Sequence, residues 1–303
     1  MRCLLHFPGG HPFYLKAICQ EAKLLCQASG RASLVKSSIA ETLERVLFDE
    51  WGIFHLKFTA TLTSMAQGKN KNVLIYLLDA IANGHNKAKD LCARFRQPRA
   101  EITQRLNRLV ESGILAKDGS FYLISDRLMA FWLKYVHAEK QASLTPDFNE
   151  QAVHFRKKIE TEIDGFITAS RVGFADRMIE LFNRFEGDDI QIDRKRFQLD
   201  TFKEVKIVHF DSARLKLGLF GKSSDNLWLA ALKEDGIQEQ DINEFIQGCQ
   251  KFGPQKTIQK IIIGLGDIER NARLLAKESH IMTWDIAHIN HLFDLYGKPR
   301  IIR

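Results

Sequence analysis

Few side chains in this chain combine the type and the spacing that chemistry needs. The clearest group is basic. Between Gly84 and Lys117 there are eight Lys and Arg (Lys87, Lys89, Arg94, Arg96, Arg99, Arg105, Arg108, Lys117) against three acids (Asp90, Glu101, Glu111). Within Arg99 to Ser112, Ile102, Leu106 and Leu109 recur at helical spacing, so Gln104, Asn107, Arg108 and Glu111 point the opposite way. Gln, Asn and Arg can pair with base edges in a major groove, and surrounding Lys and Arg can hold phosphates. Lys87, Lys89, Arg99, Gln104, Arg105, Asn107 and Arg108 are therefore candidate contacts to double-stranded DNA. The plainer alternative is a solvated basic face on a protein-contacting domain.

Other constellations carry less. Gly218 to Ser223 ends in Gly-Lys-Ser but lacks the first glycine of a phosphate-cradling loop, and it sits in a hairpin with no helix after it. His209, His280, His288 and His291 form no HExxH pattern; His288 and His291 alone share the spacing of one helical turn. The five cysteines (Cys3, Cys19, Cys26, Cys92, Cys249) include no CxxC pair, so neither a zinc site nor a disulfide framework is expected. No metal ligand and no catalytic residue is assigned on this chain.

These residues must be positioned by a chain of 303 residues, enough for two or three modules. Hydrophobic content of 45% and charged content of 27% are ordinary for a soluble globular protein. No apolar run approaches a membrane span, and Met1 to Phe7 is too short for a signal peptide before Pro8-Gly9-Gly10 interrupts it. A reducing cytoplasm is the expected location, with no membrane partner. The net charge of +7 permits a polyanionic partner without establishing one.

Along the chain, Pro12 suits the first position of a helix, and a second helical stretch spans Ser38 to Met65 with a break at Trp51-Gly52. Helices are predicted from Asn72 to a stop at Asn83-Gly84, over Lys87 to Arg94, and over Arg99 to Ser112. Asp118-Gly119 between apolar runs predicts a hairpin over Ile114 to Ile124. Three helices and a hairpin make a winged helix-turn-helix. An aromatic-rich helix follows from Asp126 to Glu139. Ser143 to Asp147 reads as a linker, and helical segments continue to Phe185. Strands are then predicted over Phe197 to Phe210, Leu215 to Phe220, Leu227 to Leu232 and Ile258 to Ile263. The order is helix, three strands, helix, strand, helix. Alternation places Trp228 and Leu232 on one face of a strand, with Leu229 and Ala231 on the other.

The strand, turn, strand and helix from Lys216-Leu217-Gly218-Leu219-Phe220-Gly221-Lys222 through Leu227 to Lys233 and Asp241 to Ile246 resemble the core of restriction-endonuclease-like, PD-(D/E)XK, domains. That family carries a metal-binding Asp on the first strand and Glu-x-Lys on the second. Gly218 stands at the Asp position and Ala231 at the Glu position, leaving Lys233. The resemblance implies a degenerate nuclease pocket of Gly218, Ala231 and Lys233, positive unless an acid pairs with Lys233. A lysine alone cannot hold the divalent cation that such cleavage uses. A displaced metal site would have to draw on Asp200, Glu204, Asp225 or Glu234.

Gly9-Gly10-His11-Pro12-Phe13-Tyr14-Leu15 resembles the start of the lid subdomain in archaeal-type AAA+/STAND ATPases, which implies a position for His11 and Pro12 near nucleotide phosphates. Ile124 to Val136 resembles the segment that follows the winged helix in those proteins. The order of lid, winged helix and nuclease-like domain implies the C-terminal portion of such an ATPase without its P-loop core. ATP and Mg²⁺ are then cofactors only if a separate or upstream ATPase core supplies that loop. The expected fold is α+β and multidomain: an all-helical lid remnant (1–68), a winged helix-turn-helix with its following helix (69–142), and a helical linker with a restriction-endonuclease-like α/β domain (143–303). The expected role is DNA-associated binding or regulation without catalysis on this chain. The alternatives are a metal-dependent nuclease with a displaced active site, and a protein-interaction module that completes an ATPase in trans.

Overall fold

The computed structural model describes residues 7–31, 33–65, 71–142, 147–193, 195–250 and 258–302. The fold is α+β, and the chain divides into two compact units, Met1–Ser170 with Ile302–Arg303, and Arg171–Ile301. Among the described residues, no helix is long and apolar enough to cross a membrane.

The first unit is largely helical. Helix α1 (Pro12–Ala28) has Pro12 in its first turn, where the missing N–H costs nothing, and buries Tyr14, Ile18, Ala22 and Leu25 along one stripe. Helix α2 (Lys36–Leu43) widens into a π-helical turn at Glu44–Phe48. The break expected at Trp51-Gly52 separates it from α3 (Ile53–Met65). Helices α4 (Lys71–Ala82), α5 (Ala88–Phe95) and α6 (Arg99–Glu111) follow at the expected places. Strands β1 (Leu115–Asp118) and β2 (Phe121–Ile124) pair antiparallel with Asp118 opposite Phe121, so Gly119-Ser120 forms the turn. The carboxylate of Asp126 accepts the N–H groups of Leu128 (3.0 Å) and Met129 (3.1 Å) and so starts α7 (Arg127–Trp132). A second π-helical turn, Leu133–His137, leads into α8 (Ala138–Ala142).

Helix α9 (Phe148–Arg171) buries Ala152, Phe155, Ile159, Ile163 and Phe166. They join the same continuous core as Tyr14, Phe54, Leu106 and Trp132. This sharing explains why the compact unit extends to Ser170, past the boundary at 143 drawn from sequence. The linker expected at Ser143 to Asp147 falls mostly outside the described residues.

The second unit opens with α10 (Phe174–Phe182) and an antiparallel hairpin of β3 (Asp189–Ile192) and β4 (Lys195–Gln198). A five-stranded mixed sheet has the order β5 (Glu204–His209), β6 (Leu217–Lys222), β7 (Leu227–Lys233), β8 (Ile258–Gly264), β9 (Ile281–Trp284). The first three strands are antiparallel neighbours; β8 and β9 run parallel to β7, with α11 (Glu239–Gln250) and α12 (Arg270–Glu278) as crossovers and α13 (Ile286–Leu295) last.

The strand alternation holds. Trp228 lies among Phe182, Phe185, Phe197, Phe202 and Trp284. Leu229 and Ala231 join the opposite cluster with Ile242, Phe245 and Ile262. Two expectations are corrected. Phe197 to Phe210 is two strands in two sheets, β4 and β5, interrupted where the Asp200 carboxylate accepts the indole N–H of Trp228 at 2.6 Å. The chain after β8 adds both α12 and β9, a strand of only 4 residues that carries little period of its own.

Candidate functional site

Helix α6 separates its faces as its spacing requires. Ile102 and Leu106 are fully buried and Leu109 is nearly so, while Arg99, Gln104, Asn107 and Arg108 are exposed. Arg105 does not join them. Its guanidinium donates to the Gln97 side chain and lies 3.4 Å from Glu101 one turn earlier, with 15% of the side chain exposed. It therefore braces the start of α6. Lys87 is also withdrawn, because its backbone bridges to Phe121 of β2 and leaves the residue 7% exposed. Its ammonium sits 5.0 Å from the Phe121 ring centroid. Lys89, on α5, is exposed. The structure thus keeps Gln104, Asn107, Arg108 and Glu111 as one exposed face, leaves Arg99 exposed half a turn away at the helix start, and withdraws Arg105 and Lys87 from the surface.

The strand positions of the nuclease resemblance are close but do not form a pocket. Gly218 faces Ala231 directly across β6 and β7. A Cβ on Gly218 would lie 2.4 Å from the Ala230 carbonyl oxygen and 2.4 Å from Cε2 of Phe210. The same ring presses on Gly248, where a Cβ would meet Phe210 Cδ1 at 2.9 Å. Phe210, 8% exposed, fills the space between the two glycines. Gly218 is small because an aromatic ring needs its surface.

The pocket is expected to be positive unless an acid pairs with Lys233, and at the end of β7 that exception is met. The Lys233 ammonium donates to Asp241 of α11, which is completely buried. The other carboxylate oxygen of Asp241 accepts Arg214 Nε at 2.7 Å, and the Gln238 backbone N–H adds a bond of 2.7 Å. Burial alone would raise the Asp241 carboxyl; these donors outweigh it and hold it below the usual carboxylate range. Beside this pair a cleft of about 570 Å³ opens at the carboxyl ends of β7 and β8, where Asp235, Asp267 and Glu269 join Arg214 and Lys233 in the wall. With Asp241 behind, acids outnumber cations, so the cleft repels a phosphate.

The remaining acids are dispersed. Asp200 accepts from Asn226 and Trp228, Glu204 pairs with Lys206 at 2.7 Å, and Asp225 and Glu234 are exposed. Among the described residues, no group of three or more His, Cys, Asp and Glu could hold a metal ion. The Asp285 carboxylate holds the start of α13, accepting the N–H groups of Ala287 (2.9 Å) and His288 (3.0 Å), and the His288 ring folds back over this cap. His11 precedes α1 and lies exposed, its ring 4.6 Å from that of Tyr14. The Tyr14 hydroxyl and Lys57 both bond to Asp126. Pro12 follows in the first helical turn, exposed.

His288 also reaches Asp193 on the β3–β4 turn at 3.2 Å, and its Nδ1 lies 2.8 Å from Asp285. The Asp285 hydrogen bond, with Asp193 assisting against burial, raises its imidazolium above the usual 6.5. The same bond lowers Asp285 to about 2. A raised histidine stabilises the fold below its unfolded value, and that contribution is lost as pH rises through the folded value. Thermal stability of the native chain is therefore expected to decline as pH climbs past 6.5, and His288→Gln should flatten this slope. Parallel melting profiles of the two proteins over that range would contradict the assignment.

No family model matches the chain, and no curated protein matches it. Among solved structures, the crystal structure of protein VC1899 from Vibrio cholerae aligns with 93% of this chain and 55% of that one, at 10% identity and a TM-score of 0.23. This chain thus spans about half the length of that protein, and the score is too low to carry a fold assignment.

Sequence reasoning missed Phe210, Arg214 and Asp241. Asp241 was visible as an acid in the first turn of a helix, which reads as an N-terminal charge preference. Nothing in the sequence marks it as the buried partner of Lys233.

Proposed function

We propose that this chain binds duplex DNA through the exposed face of α6 and performs no chemistry on it. The observation that carries this is the grouping of Gln104, Asn107, Arg108 and Glu111 on the outer face of a helix whose inner face is fully packed, with Arg99 exposed separately in its first turn. Arg108 and Arg99 supply phosphate or guanine contacts, and Gln104 and Asn107 have the amides that read adenine. The helices α4 to α6 with the β1–β2 hairpin support a winged-helix reading of this region. The helix, three strands, helix and strand of the second unit support a restriction-endonuclease-like reading of the other, with Phe210 where a metal pocket would open. Together they favour the C-terminal portion of an archaeal-type AAA+/STAND ATPase, whose ATP would be bound by a core outside this chain.

The test is duplex binding as a function of salt. Arg99→Gln with Arg108→Gln should weaken binding at low salt about tenfold or more and reduce the log–log salt slope by about 2, since each phosphate contact releases counterions. Arg105→Gln should instead lower stability with a smaller effect on the slope, because Arg105 braces Glu101 and Gln97. Unchanged binding by the double variant, or no binding by the parent at low salt, refutes the DNA reading.

A second reading rests on a different surface. Trp51 (84% exposed), Ile53 (52%) and Leu56 (49%) present large apolar side chains at the start of α3. Such a patch favours a protein partner, as in a module that completes an ATPase in trans. A parent that ignores DNA at low salt would favour this reading.

A further inference from the structure

We propose that a cleft between α9 and the π-helical turn Leu133–His137 binds a phosphate group. The cleft holds about 430 Å³, a volume suited to a small ligand. It lies wholly within the first unit and is separate from the α6 surface. One wall is a single face of α9, on which His154, Lys157, Lys158, Thr161 and Glu162 follow each other at helical spacing. The other wall brings Lys134 and Tyr135 from the turn and Asn83 from the end of α4.

The charges here do not cancel. Glu139 takes both Lys158 and His154. Burial leads in pushing the Tyr135 phenol far above its ordinary value, and its hydroxyl donates to Glu162. Lys134 lies 4.0 Å from the same carboxylate. Both acids are thus already engaged. Lys157 is exposed and has no ion-pair partner among the described residues. Lysines therefore outnumber carboxylates, and the surplus charge is the exposed ammonium of Lys157. This excludes a bare divalent cation as the ligand and gives an apolar one no wall to bury against.

An oxyanion matches what is present. Lysine ammoniums act as movable point charges on phosphate oxygens. The Asn83 side chain spends one N–H on the Asp79 carbonyl at 2.8 Å, which leaves the other to donate. The phosphate could belong to a free phosphorylated small molecule or to a nucleic-acid backbone, and the two are separable. This inference does not rest on the DNA reading of α6.

The experiment uses the full chain, with pyrophosphate and a short duplex as separate probes in calorimetric titrations. The variant is Lys134→Gln with Lys157→Gln; both side chains are exposed, and Lys157→Gln alone serves if the double variant melts lower than the parent. Pyrophosphate binding by the parent that weakens about tenfold in the variant establishes a site for free phosphate. No pyrophosphate binding, with duplex binding weakened in the variant and weakened further when Arg99→Gln and Arg108→Gln are added, assigns the cleft to backbone phosphate. Parent and variant that behave alike toward both probes overturn the proposal. Arg99→Gln with Arg108→Gln should leave pyrophosphate binding unchanged, which keeps failure of this site distinct from failure of the α6 reading.

Discussion

Replacing Gly218 with Asp and Ala231 with Glu is expected to unfold the second unit, with no metal site restored. The new Cβ at 218 would stand 2.4 Å from both the Ala230 carbonyl oxygen and Phe210 Cε2. The carbonyl belongs to β7, a strand held on both sides by β6 and β8, so it cannot retreat. The ring is confined by Gly248 on its other side and by Phe245, whose ring centroid lies 5.7 Å away. Overpacking of this kind costs about 1–3 kcal/mol, and each carboxylate forced unpaired into an apolar cluster adds several more. Ala231 is completely buried beside Leu229 and Ile262. A loss of about 4 kcal/mol or more is a large part of the roughly 5–15 kcal/mol that holds a domain together. Urea denaturation should show the midpoint collapse, and Mn²⁺ titration should show no site. Phe210→Ala alone should cost about 3 kcal/mol through its cavity, yet make Gly218→Asp less harmful than in the parent. A folded Gly218→Asp, Ala231→Glu protein that takes up Mn²⁺ stoichiometrically would reveal the open nuclease pocket and defeat this account.

That outcome turns on contacts that a linear pattern does not carry. Local signals were legible where one residue fixes one event. Pro12 began a helix, Asp126 capped one, and the Asp-Gly signal marked a hairpin whose turn lies one residue later, at Gly119-Ser120. The α6 face was legible too, because Ile102, Leu106 and Leu109 fix its orientation whatever lies around it. Arg105 and Lys87 are less exposed than their place in the sequence suggests, for opposite reasons. Arg105 sits at the flank of that stripe and is drawn to Glu101, whereas Lys87 is covered by a strand that arrives more than thirty residues later. Gly218 looked like an absence because the residue that explains it, Phe210, belongs to the preceding turn and reaches it only after β6 folds back. Strand β9 escaped because 4 residues of parallel strand show no alternation to count.

Asp241→Ala is expected to be the most damaging single polar deletion in the second unit. Asp241 is completely buried, and its two oxygens gather the Arg214 Nε–H, the Lys233 ammonium and the Gln238 N–H. Removing one partner of a buried ion pair leaves an uncompensated charge and typically costs about 3–5 kcal/mol. Lys233 bears that cost, since only 14% of its side chain is exposed, while Arg214 can turn towards water. Lys233→Met in the same background should recover much of the loss, because an apolar pair of similar size is often neutral in place of buried ions. Acid supplies an independent reading. The carboxyl of Asp241 is held below its ordinary 3.8, so its contribution is fully present above that value and disappears as pH falls through the lower folded one. The parent should therefore lose stability in that acid window, and Asp241→Ala should show a shallower acid limb. Equal acid limbs, or an Asp241→Ala protein within about 1 kcal/mol of the parent, would mean that this carboxylate is solvated and that Lys233 is free to make the cleft positive. In that case the cleft at the ends of β7 and β8 would become a credible seat for a DNA phosphate, which its present excess of acids forbids.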